Sequence, residues 1–88
     1  MPYFVYILRN SRGRLYIGQT RSLSTRLKGH KGREAAKFIR DHGSFQLIYT
    51  EQFSTRLDAM RRERQLKRWS RVKKEALIAG DLHRLKDL

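Results

Sequence analysis

No cysteine occurs among the 88 residues, so neither a disulfide framework nor a thiolate zinc site can supplement the core. No apolar run is long enough for a signal-peptide core or a membrane span, and no basic segment precedes the first one. A soluble, cytoplasmic protein with no membrane partner is the expectation. Internal repeats, low-complexity tracts and linkers long enough to separate domains are also missing. One domain over residues 1–80 is therefore expected, with 81–88 a tail that adds at most one helical turn through Leu82 and Leu85. A chain of this size buries only roughly 60% of its unfolded surface, so the core must be compact and built from few elements.

Acidic residues are scarce. Eight Asp and Glu stand against 21 Lys and Arg, a formal net charge of +13. That excess repels itself in the compact state and favours a polyanionic partner. Nucleic acid is the first candidate and an anionic membrane surface the second. A membrane-surface helix must expose bulky apolar residues beside its basic face. The basic C-terminal helices here need their few apolar residues for the core, which favours nucleic acid.

The organising stretch is Tyr3–Thr20, YFVYILRNSRGRLYIGQT. Two apolar runs, Tyr3–Leu8 and Leu15–Gly18, flank the turn-forming Asn10, Ser11 and Gly13, the pattern of a β-hairpin. A turn centred on Ser11 sets Tyr6 opposite Tyr16, two phenols on one face of a small sheet. They serve either as packing residues or as part of a site. A third strand is expected over Phe45–Phe53, with Leu47, Tyr49 and Glu51 alternating against Gln46, Ile48 and Thr50.

Between these strands, Ser22 or Ser24 can cap a helix running to about His30, with Leu23 and Leu27 inward. Arg26 and His30 stand one turn apart on it. Each has an ordinary explanation, a solvated charge and a helix-terminal imidazole. Glu34–Arg40 reads as a second short helix. After the third strand, Ser54 or Thr55 opens the longest helix, with Leu57, Ala59, Met60 and Leu66 on its apolar arc. Glu63 falls within that arc. A buried carboxylate is costly unless it has a cation, a metal or water, so Glu63 belongs either to an ion pair with a nearby arginine or to a functional site. Ser70 can cap a last helix to Ala79, with Val72, Ala76 and Leu77 inward and Gly80 at its end. Arg61, Arg62, Arg68, Arg71, Lys73 and Lys74 carry most of the positive field. They suit phosphate contacts that do not read sequence.

The ordered set VYIL (Val5–Leu8), LYIGQT (Leu15–Thr20), STRLKGH and RRERQLKR resembles the GIY-YIG nuclease family, in particular its small stand-alone bacterial members. The likeness runs from Tyr3 to about Ala79. Its specific part is spacing: ten residues from Tyr6 to Tyr16, ten more to Arg26, four to His30, and Glu63 late on a helix. The resemblance implies an α+β fold, a three-stranded antiparallel sheet flanked by helices. It also implies Mg²⁺- or Mn²⁺-dependent hydrolysis of phosphodiester bonds, with DNA as the favoured substrate and DNA repair among the family's settings.

By the same resemblance Tyr6, Tyr16, Arg26, His30 and Glu63 are the catalytic set, with Glu63 the metal ligand. Gly18 and Gln19 lie beside the substrate. The five catalytic side chains are expected to line one concave face, and Glu63 on the far side of the sheet from the tyrosines would end that reading. A phenol's ordinary pKa is about 10, so a tyrosine base needs cations nearby, whereas imidazole titrates near neutrality. The sequence departs from the family at Phe4, where the first motif has glycine, and at Gln19, often a lysine or other polar residue. It also lacks the asparagine that follows the metal ligand in many members. Those departures support the alternatives of a non-catalytic nucleic-acid-binding module or a repair-complex adaptor. Without an appended recognition module, little sequence specificity is expected.

Overall fold

The computed structural model describes residues 2–23, 40–41 and 43–87. The two helices expected between Ser22 and Arg40 therefore fall almost wholly outside the described residues, and so do Arg26 and His30. Three strands, β1 (Tyr3–Asn10), β2 (Leu15–Thr20) and β3 (Phe45–Phe53), form one antiparallel sheet in the order β2-β1-β3. Three helices follow, α1 (Arg56–Arg68), α2 (Arg71–Ala79) and α3 (Leu82–Asp87). The fold is α+β, as expected.

The β1–β2 turn is centred one residue later than Ser11. The Asn10 N–H donates to the Arg14 carbonyl at 2.9 Å, closing a three-residue loop, Ser11–Gly13. Gly13 takes the left-handed backbone at φ +84°, the geometry that such a loop needs at its last position. The buried Asn10 carboxamide accepts from the Arg12 and Arg14 N–H groups at 3.1 and 2.7 Å, an Asx-type closure. Tyr6 consequently pairs with Gly18, and Tyr16 with Leu8. The direct Tyr6–Tyr16 opposition is lost. Their common face survives, because moving the turn centre by one residue shifts the pairing by two and leaves the alternation intact.

On β3, Ile7 pairs with Tyr49 but Leu8 pairs with Leu47, a bulge at Ile48. The extra residue breaks the expected alternation. Tyr49, Glu51 and Phe53 keep the face of Val5 and Ile7, whereas Leu47 stands opposite Leu8 and is 38% exposed.

Thr55 caps α1 by accepting from the Asp58 N–H at 3.2 Å, and Ser70 caps α2 from the Lys73 N–H at 3.2 Å. Gly80, in the left-handed conformation, ends α2. The core is Val5, Ala59, Leu66 and Leu77, with Tyr3, Ile17, Tyr49, Phe53, Trp69 and Leu85 packed against it. It forms where α1 lies on the Val5/Ile7 face of the sheet. At about 100° per residue, Ala59 and Leu66 point within about 20° of one another while Leu57 points nearly the opposite way. Leu57 is accordingly exposed rather than on the apolar arc, and Val72 on α2 is exposed as well. Leu85 joins the helical end of the core, so the last turn is packed rather than loose.

Candidate active site

Tyr6 and Tyr16 occupy the sheet face opposite the one that α1 covers. The expectation of one shared face is therefore not met, and the reading of the tyrosines and Glu63 as one face-lining set ends there: a strand layer separates the two tyrosines from the helix that carries Glu63. Tyr6 and helix α1 nevertheless both reach β2, an edge of the sheet.

From one face, the Tyr6 ring leaves the central strand and lies across Gly18. A Cβ on Gly18 would sit 2.4 Å from the Tyr6 hydroxyl oxygen and 2.6 Å from its Cζ. Glycine is needed there because the phenol already fills the space, and the consequence is that the Tyr6 hydroxyl is delivered over the edge strand. Tyr6 itself is buried and Tyr16 half-buried.

From the other face, the side of α1 that carries Glu63 is set by its neighbours. Arg62 points toward β3, where its Nε donates to Glu51 Oε1 at 2.8 Å and an Nη2 to Oε2 at 2.9 Å. Glu63 is about 100° further around the helix, on the flank away from β3. Arg56 shares that flank and reaches the end of β2, lining a recess with Gln19 and Thr20. Glu63 is thus carried on the β2 side of α1. Its side chain is 20% exposed, and its partner is not an arginine but Lys67, Nζ to Oε1 at 2.9 Å. That partner, one turn along, is itself 56% exposed. A surface pair of this kind contributes about 0.3–0.5 kcal/mol, so a stronger cation could displace the ammonium.

The basic residues separate into two groups. Arg61 and Arg68 are exposed on the outer face of α1 and, with Arg64, Gln65 and Trp69, line an open groove of about 460 Å³. Arg64 was not singled out from the sequence, though it lies three residues from Arg61 and four from Arg68, the spacing of one helical stripe. Arg62, Arg71 and Lys73 have internal partners. Arg62 also donates to Gln65 and stacks 5.1 Å from the Trp69 ring centroid, with the Lys73 ammonium 4.2 Å from the same ring. Arg71 donates to the Gly13 carbonyl and, at 3.3 Å, to Glu75, which also pairs with Arg9, tying α2 to the hairpin turn. Lys74 is half-buried.

The Glu51 network had no signal in the sequence, because its members lie eleven residues apart on different elements. Burial works to raise the Glu51 carboxyl, but hydrogen bonds from Arg62 and Tyr49, with the Arg62 charge, hold it below its ordinary value. Burial pushes the Tyr49 phenol up to about 12, helped by the Glu51 carboxylate that accepts its hydrogen bond.

Among the described residues no three His, Cys, Asp or Glu side chains gather to form a metal cage, and no helix is long and apolar enough to cross a membrane. A lone carboxylate with an exchangeable cation does fit Mg²⁺ or Mn²⁺, which keep several waters and complete their shell with substrate phosphate.

Comparison with known proteins defines the class. The model of the GIY-YIG catalytic domain matches residues 2–76. The chain belongs to the GIY-YIG family, a nuclease family. It is 37% identical over 79 residues to a UPF0213 protein of Natronomonas pharaonis, covering 90% of this chain and 93% of that one. To a UPF0213 protein of Staphylococcus aureus it is 34% identical over 76 residues, 86% of this chain and 93% of the other. The solution NMR structure of a UPF0213 protein from Bacillus halodurans superposes with a TM-score of 0.60 at 39% identity, over 90% of this chain and 84% of that one.

Proposed function

We propose that this chain is a divalent-metal-dependent endonuclease that hydrolyses phosphodiester bonds of DNA with little sequence specificity. The observation that carries the reading is Glu63: a mostly buried carboxylate on the β2 flank of α1, paired among the described residues with an exposed lysine alone, inside a chain matched almost throughout by a nuclease domain. The site is an edge site. Tyr6 reaches β2 across Gly18 from one face and Glu63 approaches it from the other.

Glu63 holds Mg²⁺ or Mn²⁺. When bound, the ion supplies stabilisation of negative charge on the phosphate and on the leaving oxygen. Tyr6 positions or deprotonates the attacking water, with Tyr16 and His30 assisting. Arg26 grips the scissile phosphate through its forked guanidinium, a geometry lysine cannot reproduce. Gln19, Arg61, Arg68 and Lys74 follow the strand as backbone contacts, while the space over Gly18 is taken by the Tyr6 phenol. Arg62, Arg71 and Lys73 share in this role only as far as their internal partners allow. Such contacts set register without reading bases, which accounts for the low specificity. Residues 1–80 carry the activity, with the last helix packed against them through Leu85, and the setting is cytoplasmic DNA repair.

One observation favours a second reading, a non-catalytic nucleic-acid-binding module or repair-complex adaptor: the Glu63–Lys67 pair satisfies the carboxylate without any metal. Incubating wild type and Glu63→Ala with labelled single-stranded, duplex, branched and RNA oligonucleotides, with and without Mg²⁺ or Mn²⁺, separates the two. Metal-dependent cutting by wild type alone is the expected result. Equal, salt-sensitive binding by both proteins with no cutting by either would establish the binding module instead.

A further inference from the structure

We propose that Arg21 and Arg56 form a second phosphate site, which holds the nucleic-acid strand to one side of the cut. The site is a polar recess of about 270 Å³ lined by Tyr3, Gln19, Thr20, Arg21 and Arg56. The two arginines come from different elements, just past β2 and the first turn of α1. Among the described residues no acidic side chain lines the recess.

Each lining residue is placed by something observed. Thr20 Oγ1 donates to the Ser22 carbonyl at 3.2 Å and accepts from the Ser22 N–H at 3.3 Å, which shapes the chain around Arg21. The Arg21 guanidinium stacks 5.6 Å from the Tyr3 ring centroid. Gln19 adds an amide donor on the same sheet face, that of Val5, its β1 partner. Arg56 is exposed.

The recess is aligned with Glu63. Arg56 and Glu63 are seven residues apart on α1, which brings them within about 20° of one helical line. Seven residues at about 1.5 Å each separate them by roughly 10 Å along the axis. Each step along a duplex strand rises about 3.4 Å and also turns about the axis, which sets consecutive phosphates about 6–7 Å apart, so a strand with its scissile phosphate at Glu63 offers the recess a phosphate one or two nucleotides away.

The distance to the cut rests on the edge-site reading above, but the phosphate site itself does not. The test is a neutralisation scan in metal-free buffer: a minimal-length oligonucleotide carrying one uncharged methylphosphonate at each position in turn, with affinity read by fluorescence anisotropy. For wild type, a position one or two nucleotides from the mapped cut should lose about tenfold in affinity. For Arg56→Gln and Arg21→Gln the unmodified oligonucleotide should bind about tenfold more weakly, and the same position should no longer matter. The salt slope should fall by about one for each variant, with Arg56→Lys recovering part of the affinity. Thermal unfolding of each variant confirms that it is folded. A scan that is flat beside the cut, or one whose sensitive position persists in Arg56→Gln, overturns the proposal. If wild type cuts nothing, the nuclease reading fails, while a sensitive position erased by Arg56→Gln still establishes the phosphate site.

Discussion

Arg62 and Glu63 are neighbours in sequence, yet they lie on opposite flanks of α1 and belong to two different kinds of ion pair. On the β3 flank, Arg62 makes a forked contact with Glu51. Tyr49 donates to the same carboxylate, and Gln65 and Trp69 complete the surroundings of the guanidinium. Both side chains are about one-fifth exposed. On the β2 flank, Glu63 has one lysine, which belongs to its own helix and stands largely in water. The first pair joins two elements and gives up little to solvent. The second joins nothing. A carboxylate held so loosely is of small structural value, and for the same reason it is available to a metal ion.

The largest effect that tests this contrast is on activity. Glu63→Ala should lower metal-dependent DNA cleavage by about 100-fold or more, as losing a charge-stabilising group does. Its melting temperature should stay close to wild type, since a surface i,i+4 pair contributes only about 0.3–0.5 kcal/mol. Metal-free DNA binding should hold or tighten, because one negative charge facing a polyanion is gone. A Glu63→Ala protein that cuts at the wild-type rate, or that no longer folds, removes the distinction between the flanks.

Next in size is the reverse experiment. Glu51→Ala strands the Arg62 guanidinium and should cost about 3 kcal/mol in urea unfolding. Arg62→Ala should cost a similar amount, and neither substitution touches the edge site directly. Cleavage per folded molecule should remain within a few-fold of wild type. A stability loss for Glu51→Ala no greater than for Glu63→Ala would show that the two pairs are equivalent after all.

The pH dependence of stability sharpens the same point. The Glu51 carboxyl has a folded-state pKa below its ordinary 4.5. Its contribution is therefore present above that value and is lost as pH falls through the lower, folded pKa. Tyr49 acts at the other end of the scale. With the phenol raised from 10.0 to about 12, its contribution is present below 10 and is lost as pH climbs toward 12. Urea midpoints measured in acid should fall less steeply for Glu51→Gln than for wild type. Equal acid slopes would place the titration elsewhere.

The smallest expected effect concerns Lys67. Lys67→Ala frees the Glu63 carboxylate, so Mn²⁺ titration should show a few-fold tighter apparent affinity, with stability changed by no more than about 0.5 kcal/mol. Unchanged Mn²⁺ affinity would mean that the lysine does not compete for the site.

Wherever a feature depends on near neighbours, it could be read from the sequence. The hairpin, the bounds of Phe45–Phe53, the caps at Thr55 and Ser70 and the polyanion-seeking charge all follow from local periodicity, turn chemistry and composition. So does the spacing of the family motifs, which names Tyr6, Tyr16 and Glu63 as a set. Tertiary structure decided what depends on a partner distant in sequence or on a single added residue. The Asn10 carboxamide closing a three-residue loop moved the register, setting Tyr6 over Gly18 instead of opposite Tyr16. The bulge at Ile48 turned Leu47 outward. A helical wheel placed Glu63 near the apolar side of α1, but only Glu51, eleven residues before Arg62 and on β3, shows which flank faces β3 and which is left to the sheet edge. Spacing along the chain determines which side chains can share a face. Which face meets the core, and which meets water, is settled by packing between elements.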